Sequence, residues 1–194
     1  MSPTLLFRNL PNVLTTARLI LVPFIGWLLY RRDFGIALLV VFIAGVSDGF
    51  DGWLARRNQW TSRIGAYLDP LADKALLVTL FILLGVTKVI PLWLAILVPA
   101  RDVFILLMVA AGFLLTKVRE FPPSIWGKVS TIIQMGAAVG LIANAAAGFR
   151  VPYPLIEFVI FTTAAATVWS GFDYARSGLT TLRRLRIDAG GSRR

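Results

Sequence analysis

Six apolar runs, each about as long as a membrane span, follow one another along the 194-residue chain. A helix needs about 20 mostly apolar residues to cross the hydrocarbon core of a bilayer. Within lipid, only helices and closed barrels satisfy every backbone hydrogen bond. We therefore predict an all-α polytopic membrane protein, a six-transmembrane-helix bundle with short loops. The predicted spans are approximately 13–30, 34–57, 63–87, 91–117, 124–147 and 151–176.

Composition agrees with this prediction. Hydrophobic residues make up 57% of the chain and charged residues 15%, and the mean hydropathy is +0.76, values typical of an integral membrane protein. We predict a single membrane domain over residues 1–194, with a basic cytoplasmic tail over about 177–194. The first apolar run is too long for a signal peptide and lacks a small-residue cleavage site. Because no transit peptide precedes it, a bacterial inner membrane is the expected location.

The basic residues predict the orientation. Of the 20 Lys and Arg residues, Arg18, Lys74 and Arg101 lie within predicted spans. If both termini are cytoplasmic, thirteen of the others lie inside and four lie outside, which satisfies the positive-inside rule. The net charge of +10 then indicates contact with anionic lipid headgroups. No nucleic-acid partner is predicted, since the chain has no basic soluble module or aromatic platform for bases.

Four aspartates lie where the second span ends and the third begins. Asp48 and Asp51 are three residues apart, Asp69 and Asp73 are four apart, and each pair therefore shares a helix face. The short link between the spans folds the helices back on each other, so the four carboxylates converge near the cytoplasmic face. Each ionised carboxylate costs roughly 2.5–3.5 kcal/mol at the centre of a membrane helix. A divalent cation offsets this cost, and oxygen-only ligands favour Mg²⁺ or Mn²⁺.

Small residues accompany these carboxylates at Gly49, Gly52, Ala55 and Gly65. Such residues allow close packing of membrane helices, and equally allow a bulky group to approach the backbone. Arg56 favours the second interpretation, because an arginine beside a metal ion is suited to holding a pyrophosphate.

The segment from Asp48 to Asp73 resembles the signature of the CDP-alcohol phosphatidyltransferase family, DxxDGxxARx₈GxxxDxxxD, at every fixed position. The stretches PNVLTTARLILVP, LDPLADK and WGKVSTIIQ are similar to the branch of phosphatidylglycerophosphate synthases and eukaryotic-type cardiolipin synthases. The resemblance covers about residues 9–169. It implies an enzyme of phospholipid biosynthesis that transfers a phosphatidyl group from CDP-diacylglycerol to an alcohol and releases CMP. It also implies a homodimer.

The resemblance assigns roles to the motif. It implies two divalent ions, Mg²⁺ or Mn²⁺, held by the four aspartates, with Asp73 also acting as general base toward the acceptor hydroxyl. The CDP-binding residues would be Gly52, Ala55, Arg56 and Gly65.

Four further residues are candidates, and three of them have a second interpretation. Asn12, Thr15 and Arg18 are placed to reach the nucleotide or the lipid headgroup, whereas Asn12 and Thr15 equally fit helix N-terminal caps. Lys74 fits a phosphate ligand, or a lysine that extends to the membrane surface.

The acceptor site is predicted from charge within the spans. Arg101 and Asp102 interrupt the fourth span, and Lys128 and Gln134 lie in the fifth. We predict that Arg101, Lys128 and Gln134 bind an anionic glycerol-type acceptor. A self-neutralising structural pair, Arg101 with Asp102, is the alternative.

Two acceptors fit an anionic site: phosphatidylglycerol, giving cardiolipin, and glycerol 3-phosphate, giving phosphatidylglycerophosphate. Phosphatidylglycerophosphate synthases usually carry Glu where this chain has Asp102, and a second lysine where it has Ser130. These two departures favour phosphatidylglycerol. A small cation transporter is a more remote alternative, since its carboxylates would be spread across several helices. A purely structural membrane protein would leave the cost of the four acids unoffset.

Overall fold

The computed structural model is helical throughout its described part. It describes residues 10–58, 63–115, 125–148 and 151–191, and the side chains of 16–47, 71–111, 125–148, 151–178 and 180. No strand occurs in these ranges, which confirms the all-α prediction. The helices are α1 (Leu10–Tyr30), α2 (Phe34–Asn58), α3 (Arg63–Val86), α4 (Leu92–Leu115), α5 (Ile125–Ala147) and α6 (Tyr153–Gly191).

Three stretches are long and apolar enough to cross a membrane: Leu92–Ala111, Ile125–Ala147 and Tyr153–Gly178. Shorter apolar helical stretches occupy Thr16–Tyr30 and Phe34–Ser47. The chain therefore has the helices of a membrane protein, and the number of six spans remains a prediction. The predicted basic tail begins as a continuation of α6, because no proline stops the helix after residue 176 and the single glycine there, Gly178, does not end it.

The chain divides into two compact units, residues 1–95 with 138–152, and residues 96–137 with 153–194. In the first unit α1 packs against both α2 and α3. The buried side chains recur every three or four residues on each helix, which is the spacing of one helix face. They include Ile25 and Leu29 on α1, Ala37 and Val41 on α2, and Leu80 and Leu84 on α3.

Two helices of the first unit end in the same local structure. Arg32 follows α1 and Lys88 follows α3, and both have a φ angle of 63° in the left-handed region. At each end, the amides of the left-handed residue and of its successor donate back to carbonyls of the last helical turn. This is the Schellman motif, which satisfies terminal carbonyls and reverses the chain within a few residues. It explains why α2 and α4 can start so soon after the preceding helix.

The second unit buries more polar side chains among its described residues than the first. Large apolar side chains on its helices are exposed, among them Leu107, Ile132 and Phe161. Beside apolar residues such as Val98 and Ile105, its interior contains a set of buried polar or charged residues: Asp102, Ser130, Gln134, Thr163, Thr167 and Ser170. Apolar residues outside and polar residues inside are typical of helices that lie in lipid and enclose a functional interior.

One close helix contact in the first unit is testable. A Cβ added at Gly85 would fall far inside the contact distance of the Cβ of Ala95. We expect Gly85→Ala to lower the free energy of unfolding by about 1–3 kcal/mol, because neither backbone can move away cheaply. Thermal unfolding in detergent measures this. Gly140→Ala is the control, since nothing lies within 4 Å of a Cβ there. Equal effects of the two changes would contradict the contact.

Candidate active site

The aspartate motif lies on two consecutive helices. Asp48 and Asp51 are on α2 near its end, and Asp69 and Asp73 are on α3 near its start, with a four-residue link between Asn58 and Arg63. Both helices contact α1. The predicted convergence of the four carboxylates cannot be followed beyond Asp73, because the other three side chains lie outside the described ones. Most other residues with predicted roles in this region lie outside them too, except Arg18 and Lys74. Those outside are the side chains of Asn12, Thr15, Asp48, Asp51, Ala55, Arg56 and Asp69, and the positions Gly52 and Gly65.

Asp73, the predicted general base, is held by an arginine from α1. Its Oδ1 accepts a hydrogen bond from Arg18 Nη1 at 3.0 Å. The Arg18 side chain is only 6% exposed, whereas that of Asp73 is 53% exposed. The guanidinium therefore fixes the carboxylate from the buried side and leaves about half of its surface accessible. Such a charge-assisted contact gives the carboxylate a defined orientation.

Arg18 thus has a partner that was not predicted from the sequence, where the nucleotide or a lipid headgroup was expected. Lys74, the residue after Asp73, is partly exposed. Among the described side chains, no group of three or more Asp, Glu, His or Cys residues is placed to hold a metal ion. Since three of the four motif aspartates lie outside that set, the metal site remains a prediction.

Arg101 and Asp102 form a buried ion pair in the second unit. Arg101 Nη1 lies 2.6 Å from Asp102 Oδ1, and the two side chains are 8% and 7% exposed. Arg101 Nη2 also donates to the hydroxyl of Ser170 on α6. The Nε of Arg101 is buried and has no hydrogen-bond partner among the described residues. The guanidinium is therefore charge-balanced, but its buried Nε–H has no acceptor among the described residues.

Two glycines make room for this guanidinium. A Cβ at Gly127 on α5 would lie 3.5 Å from Arg101 Nη2 and 3.2 Å from a ring carbon of Tyr174. A Cβ at Gly171 on α6 would lie 3.8 Å from Arg101 Cγ. An alanine at either position would only reach ordinary contact distance of Arg101, and at Gly127 it would be crowded by Tyr174.

The same contacts show where Arg101 lies along the second unit. Gly127 belongs to the first turn of α5, which begins at Ile125. The guanidinium of Arg101 therefore lies beside the start of that helix. Trp126 and Trp169 pack edge to face at this level, with ring centroids 6.0 Å apart, and both are exposed. Exposed tryptophans near helix ends are typical of the membrane–water interface. Trp126 fits such a position, whereas Trp169 and Arg101 lie well inside the apolar stretches Tyr153–Gly178 and Leu92–Ala111.

Gln134 is the centre of a second buried polar group. Its Nε2 donates to Ser130 Oγ at 3.2 Å and to Thr167 Oγ1 at 2.8 Å. The Thr167 hydroxyl itself donates to the Thr163 carbonyl, so it must accept from Gln134, which fixes the orientation of the amide. Gln134 Oε1 is buried without a partner among the described residues.

The three predicted acceptor residues differ in their surroundings. Arg101 and Gln134 are enclosed, whereas Lys128 is exposed in the first turns of α5. No hydrogen bond or ion pair joins any two of the three within the described side chains. Their common role in binding an acceptor remains a prediction.

The chain matches a protein-family model, that of the CDP-alcohol phosphatidyltransferases, over residues 8–169. The matched region includes the complete aspartate motif and most of the chain. The chain belongs to the CDP-alcohol phosphatidyltransferase family. This confirms the family predicted from the motif and, at the level of the family, that the chain is an enzyme of phospholipid synthesis.

Relatives within this family carry two different names. A probable cardiolipin synthase (CMP-forming) of Drosophila melanogaster is 30% identical, over 90% of this chain and 59% of the relative. A cardiolipin synthase (CMP-forming) of Streptomyces coelicolor is 36% identical, over 86% of this chain and 80% of the relative. A CDP-diacylglycerol–glycerol-3-phosphate 3-phosphatidyltransferase of Haemophilus influenzae is 33% identical, over 86% and 91%. The alignment thus spans less than two thirds of the Drosophila protein and most of the two bacterial ones.

The polar residues of α6 were not predicted as part of this phosphatidyltransferase site. Thr163, Thr167 and Ser170 are all buried, and two of them bind predicted acceptor residues. Their spacing of four and three residues places them on one helix face, and that stripe in an otherwise apolar span was the available signal. Ser130 was noted as a missing positive charge, and the structure adds that it accepts a hydrogen bond from Gln134.

The buried ion pair predicts a specific pattern of stability. Arg101→Met leaves the enclosed carboxylate of Asp102 without its guanidinium, and we expect it to cost about 3–5 kcal/mol in unfolding free energy. The double variant Arg101→Met with Asp102→Val removes both charges, and should recover most of that loss. Denaturant unfolding of the purified protein in detergent measures both. A double variant no more stable than the single one would show that Asp102 does not depend on Arg101.

Proposed function

We propose that this phosphatidyltransferase transfers the phosphatidyl group of CDP-diacylglycerol to phosphatidylglycerol, forming cardiolipin and CMP. The observation that carries the proposal is the complete eight-residue motif on two consecutive helices, with Asp73 held from its buried side by Arg18. The same motif would serve glycerol 3-phosphate as acceptor, giving phosphatidylglycerophosphate. That reaction is the alternative, because relatives of both names match over most of the chain.

The donor set fits divalent cations. Asp48, Asp51, Asp69 and Asp73 offer only carboxylate oxygens, and the Asp73 side chain remains about half exposed beside its arginine. Hard ions such as Mg²⁺ or Mn²⁺ prefer such ligands. We propose that the four aspartates hold two of these ions. When bound, the ions neutralise the pyrophosphate and the charge that develops on the departing CMP.

Asp73 then has the position of a general base. It takes the proton of the acceptor hydroxyl as that oxygen attacks the phosphorus carrying diacylglycerol, and the bond from this phosphorus to CMP breaks. CMP leaves with the electron pair of that bond. Arg18 acts as a positioning residue, since its guanidinium orients the Asp73 carboxylate. Arg56 would pair with a phosphate, while Gly52, Ala55 and Gly65 let the nucleotide approach the backbone.

The charges near Arg101 support phosphatidylglycerol over glycerol 3-phosphate. Asp102 balances Arg101 at 2.6 Å, and Ser130, where a lysine would add charge, accepts from the neutral amide of Gln134. Lys128 is then the exposed cation of this part of α5. One cation beside a neutralised pair suits a singly charged phosphodiester better than a doubly charged phosphate monoester.

The membrane arrangement is part of the proposal. We propose six spans in a bacterial inner membrane, both termini and the active site toward the cytoplasm, and a homodimeric assembly. The three long apolar helices and the unequal distribution of basic residues support the membrane placement and orientation. Membership of a phosphatidyltransferase family argues against the alternative of a small cation transporter.

The acceptor can be identified directly. Purified protein is incubated with CDP-diacylglycerol, Mg²⁺ or Mn²⁺, and either phosphatidylglycerol or glycerol 3-phosphate, and CMP and the lipid product are measured. We expect CMP and cardiolipin with phosphatidylglycerol, and neither after addition of a chelator. CMP with glycerol 3-phosphate alone would establish the alternative reaction.

The role of Asp73 predicts a loss of rate without a loss of fold. Asp73→Asn should lower CMP release at least about 10²-fold, since a positioned general base typically contributes 10²–10⁴. The control is Asp33→Asn. Asp33 is exposed between α1 and α2, and its carboxylate makes only a long contact, 3.8 Å, with Arg31 Nε. Thermal unfolding of both variants verifies their fold. Near-normal activity of the Asp73 variant would remove it from the mechanism.

A further inference from the structure

Three described residues have a φ angle in the left-handed region, and each follows the end of a helix. They are Arg32 after α1, Lys88 after α3 and Gly148 after α5. Glycine is the usual residue at such a position, because it has no Cβ to clash with the backbone. Arg32 and Lys88 adopt the same conformation at a steric cost that glycine would avoid. Both of these residues, the left-handed cations, have long basic side chains, and a cost accepted twice for such side chains points to a use for them.

The left-handed cations lie at the same end of the first unit. Arg18 on α1 donates a hydrogen bond to Asp73 on α3. Further along both helices, a Cβ added at Gly26 would lie 3.2 Å from Thr79 Cγ2. The two contacts advance in the same direction along α1 and α3, so these helices run parallel. Each left-handed cation follows the last residue of its helix by two positions, which places both at the end remote from Asp73.

This end of the first unit has the features that mark a membrane surface. The apolar stretch Leu92–Ala111, which is long enough to span a membrane, begins four residues after Lys88. The shorter apolar stretch of α1 ends at Tyr30, two residues before Arg32. Exposed aromatic side chains accompany both boundaries: Trp27 and Tyr30 on α1, and Trp93 on α4. Exposed Trp and Tyr at the ends of apolar helices are typical of the boundary between hydrocarbon and headgroups.

The charge at this end is positive. Arg32 and Lys88 are both exposed, and neither forms an ion pair with any described residue. The neighbouring Arg31 is engaged on the protein, since its Nε lies 3.8 Å from Asp33 Oδ2 and its Cζ lies 4.9 Å from the centre of the Trp27 ring. Three cations and one carboxylate leave two positive charges in excess among the described residues of this end. Unpaired cations beside interfacial aromatic rings suit the phosphate groups of anionic lipids, whose charged surface attracts basic residues next to membrane helices.

We infer that Arg32 and Lys88 bind the phosphate groups of anionic phospholipids at the membrane face opposite the aspartate motif. The partner is a lipid rather than a soluble anion, because both cations directly border apolar stretches whose ends carry exposed aromatic rings. Bound headgroups would hold the ends of α1 and α3 at one depth in the bilayer. They would thereby support the Arg18–Asp73 contact at the other end of the same two helices. Such binding is independent of the acceptor in the proposed reaction.

Thermal unfolding in a neutral detergent tests the role of the charge. Phosphatidylserine is the probe, since it is anionic and is neither the donor nor the acceptor of the proposed reaction. We expect it to raise the unfolding midpoint of the wild-type protein by about 3–6 °C more than phosphatidylcholine does. Arg32→Gly combined with Lys88→Gly keeps the left-handed backbone and should lose at least half of that difference. The matched control exchanges the cations, Arg32→Lys with Lys88→Arg, and should retain it.

The alternative is that the two cations only stabilise the ends of their helices, as basic residues do at helix C-termini. In that case the double glycine variant would lose the same amount of stability with phosphatidylserine and with phosphatidylcholine. The full difference between the two lipids would then remain, and that result would overturn the inference.

The position of the bound lipid is tested separately, because the predicted basic tail over about 177–194 also attracts anionic lipid. Phosphatidylserine with a diazirine at the carbonyl end of one acyl chain is irradiated with the protein in phosphatidylcholine vesicles, and labelled peptides are identified by mass spectrometry. We expect labelling near Tyr30 and Trp93, reduced at least about threefold in the double glycine variant, with labelling of the tail unchanged. Labelling of the tail alone, or equal labelling near Trp93 in both proteins, would overturn the inference. Neither experiment involves CMP release, so failure of the lipid site would leave the proposed function intact.

Discussion

Burying ionised side chains among apolar helices is costly, and the two units of this chain offset that cost in different ways. In the first unit, the buried Arg18 meets Asp73, whose carboxylate is about half exposed. In the second unit, Arg101 and Asp102 are both enclosed and balance each other at 2.6 Å. Removing one member of a buried pair leaves the other charge buried and uncompensated, so the two must be kept together. A half-exposed pair instead leaves one member accessible to a ligand. The first arrangement suits a reacting group and the second a fixed binding surface.

The polar interior of the second unit also determines how its helices fit together. Arg101 reaches Ser170 on α6, and its guanidinium passes close to Gly127 on α5. Gln134 joins α5 to α6 through Thr167. Lipid offers these groups no alternative hydrogen bonds, so the bonds that join α4 to α6 and α5 to α6 cannot be exchanged for bonds to solvent. The rotation of α5 and α6 about their axes is thereby specified by polar contacts, whereas the exposed apolar residues could face lipid at many rotations.

The all-α class and the division of the four aspartates between two consecutive helices were predicted correctly, because both depend on spacing along the chain. Asp48 and Asp51 fall on one helix and Asp69 and Asp73 on the next, as their separations indicated. The partner of Arg18 was not predictable in this way, since it depends on which face of α1 packs on α3. Thr163, Thr167 and Ser170 were missed for a related reason: hydroxyl groups are common in membrane helices, and only tertiary contacts show which of them line an interior. The helical continuation of α6 beyond residue 176 was also unexpected, because charge marks the end of a span but does not end a helix.

A lipid acceptor and a water-soluble one would reach the same arginine by different routes. Glycerol 3-phosphate must arrive from the aqueous end of the helices, where added positive charge raises its local concentration. Phosphatidylglycerol is already concentrated in the bilayer, so it gains little from additional cations and more from an opening between helices. The second unit has two features that favour the lipid acceptor, a neutralised arginine and a serine where a lysine would add charge. If Arg101 has the proposed role, acceptor choice therefore depends on how far Asp102 already neutralises it.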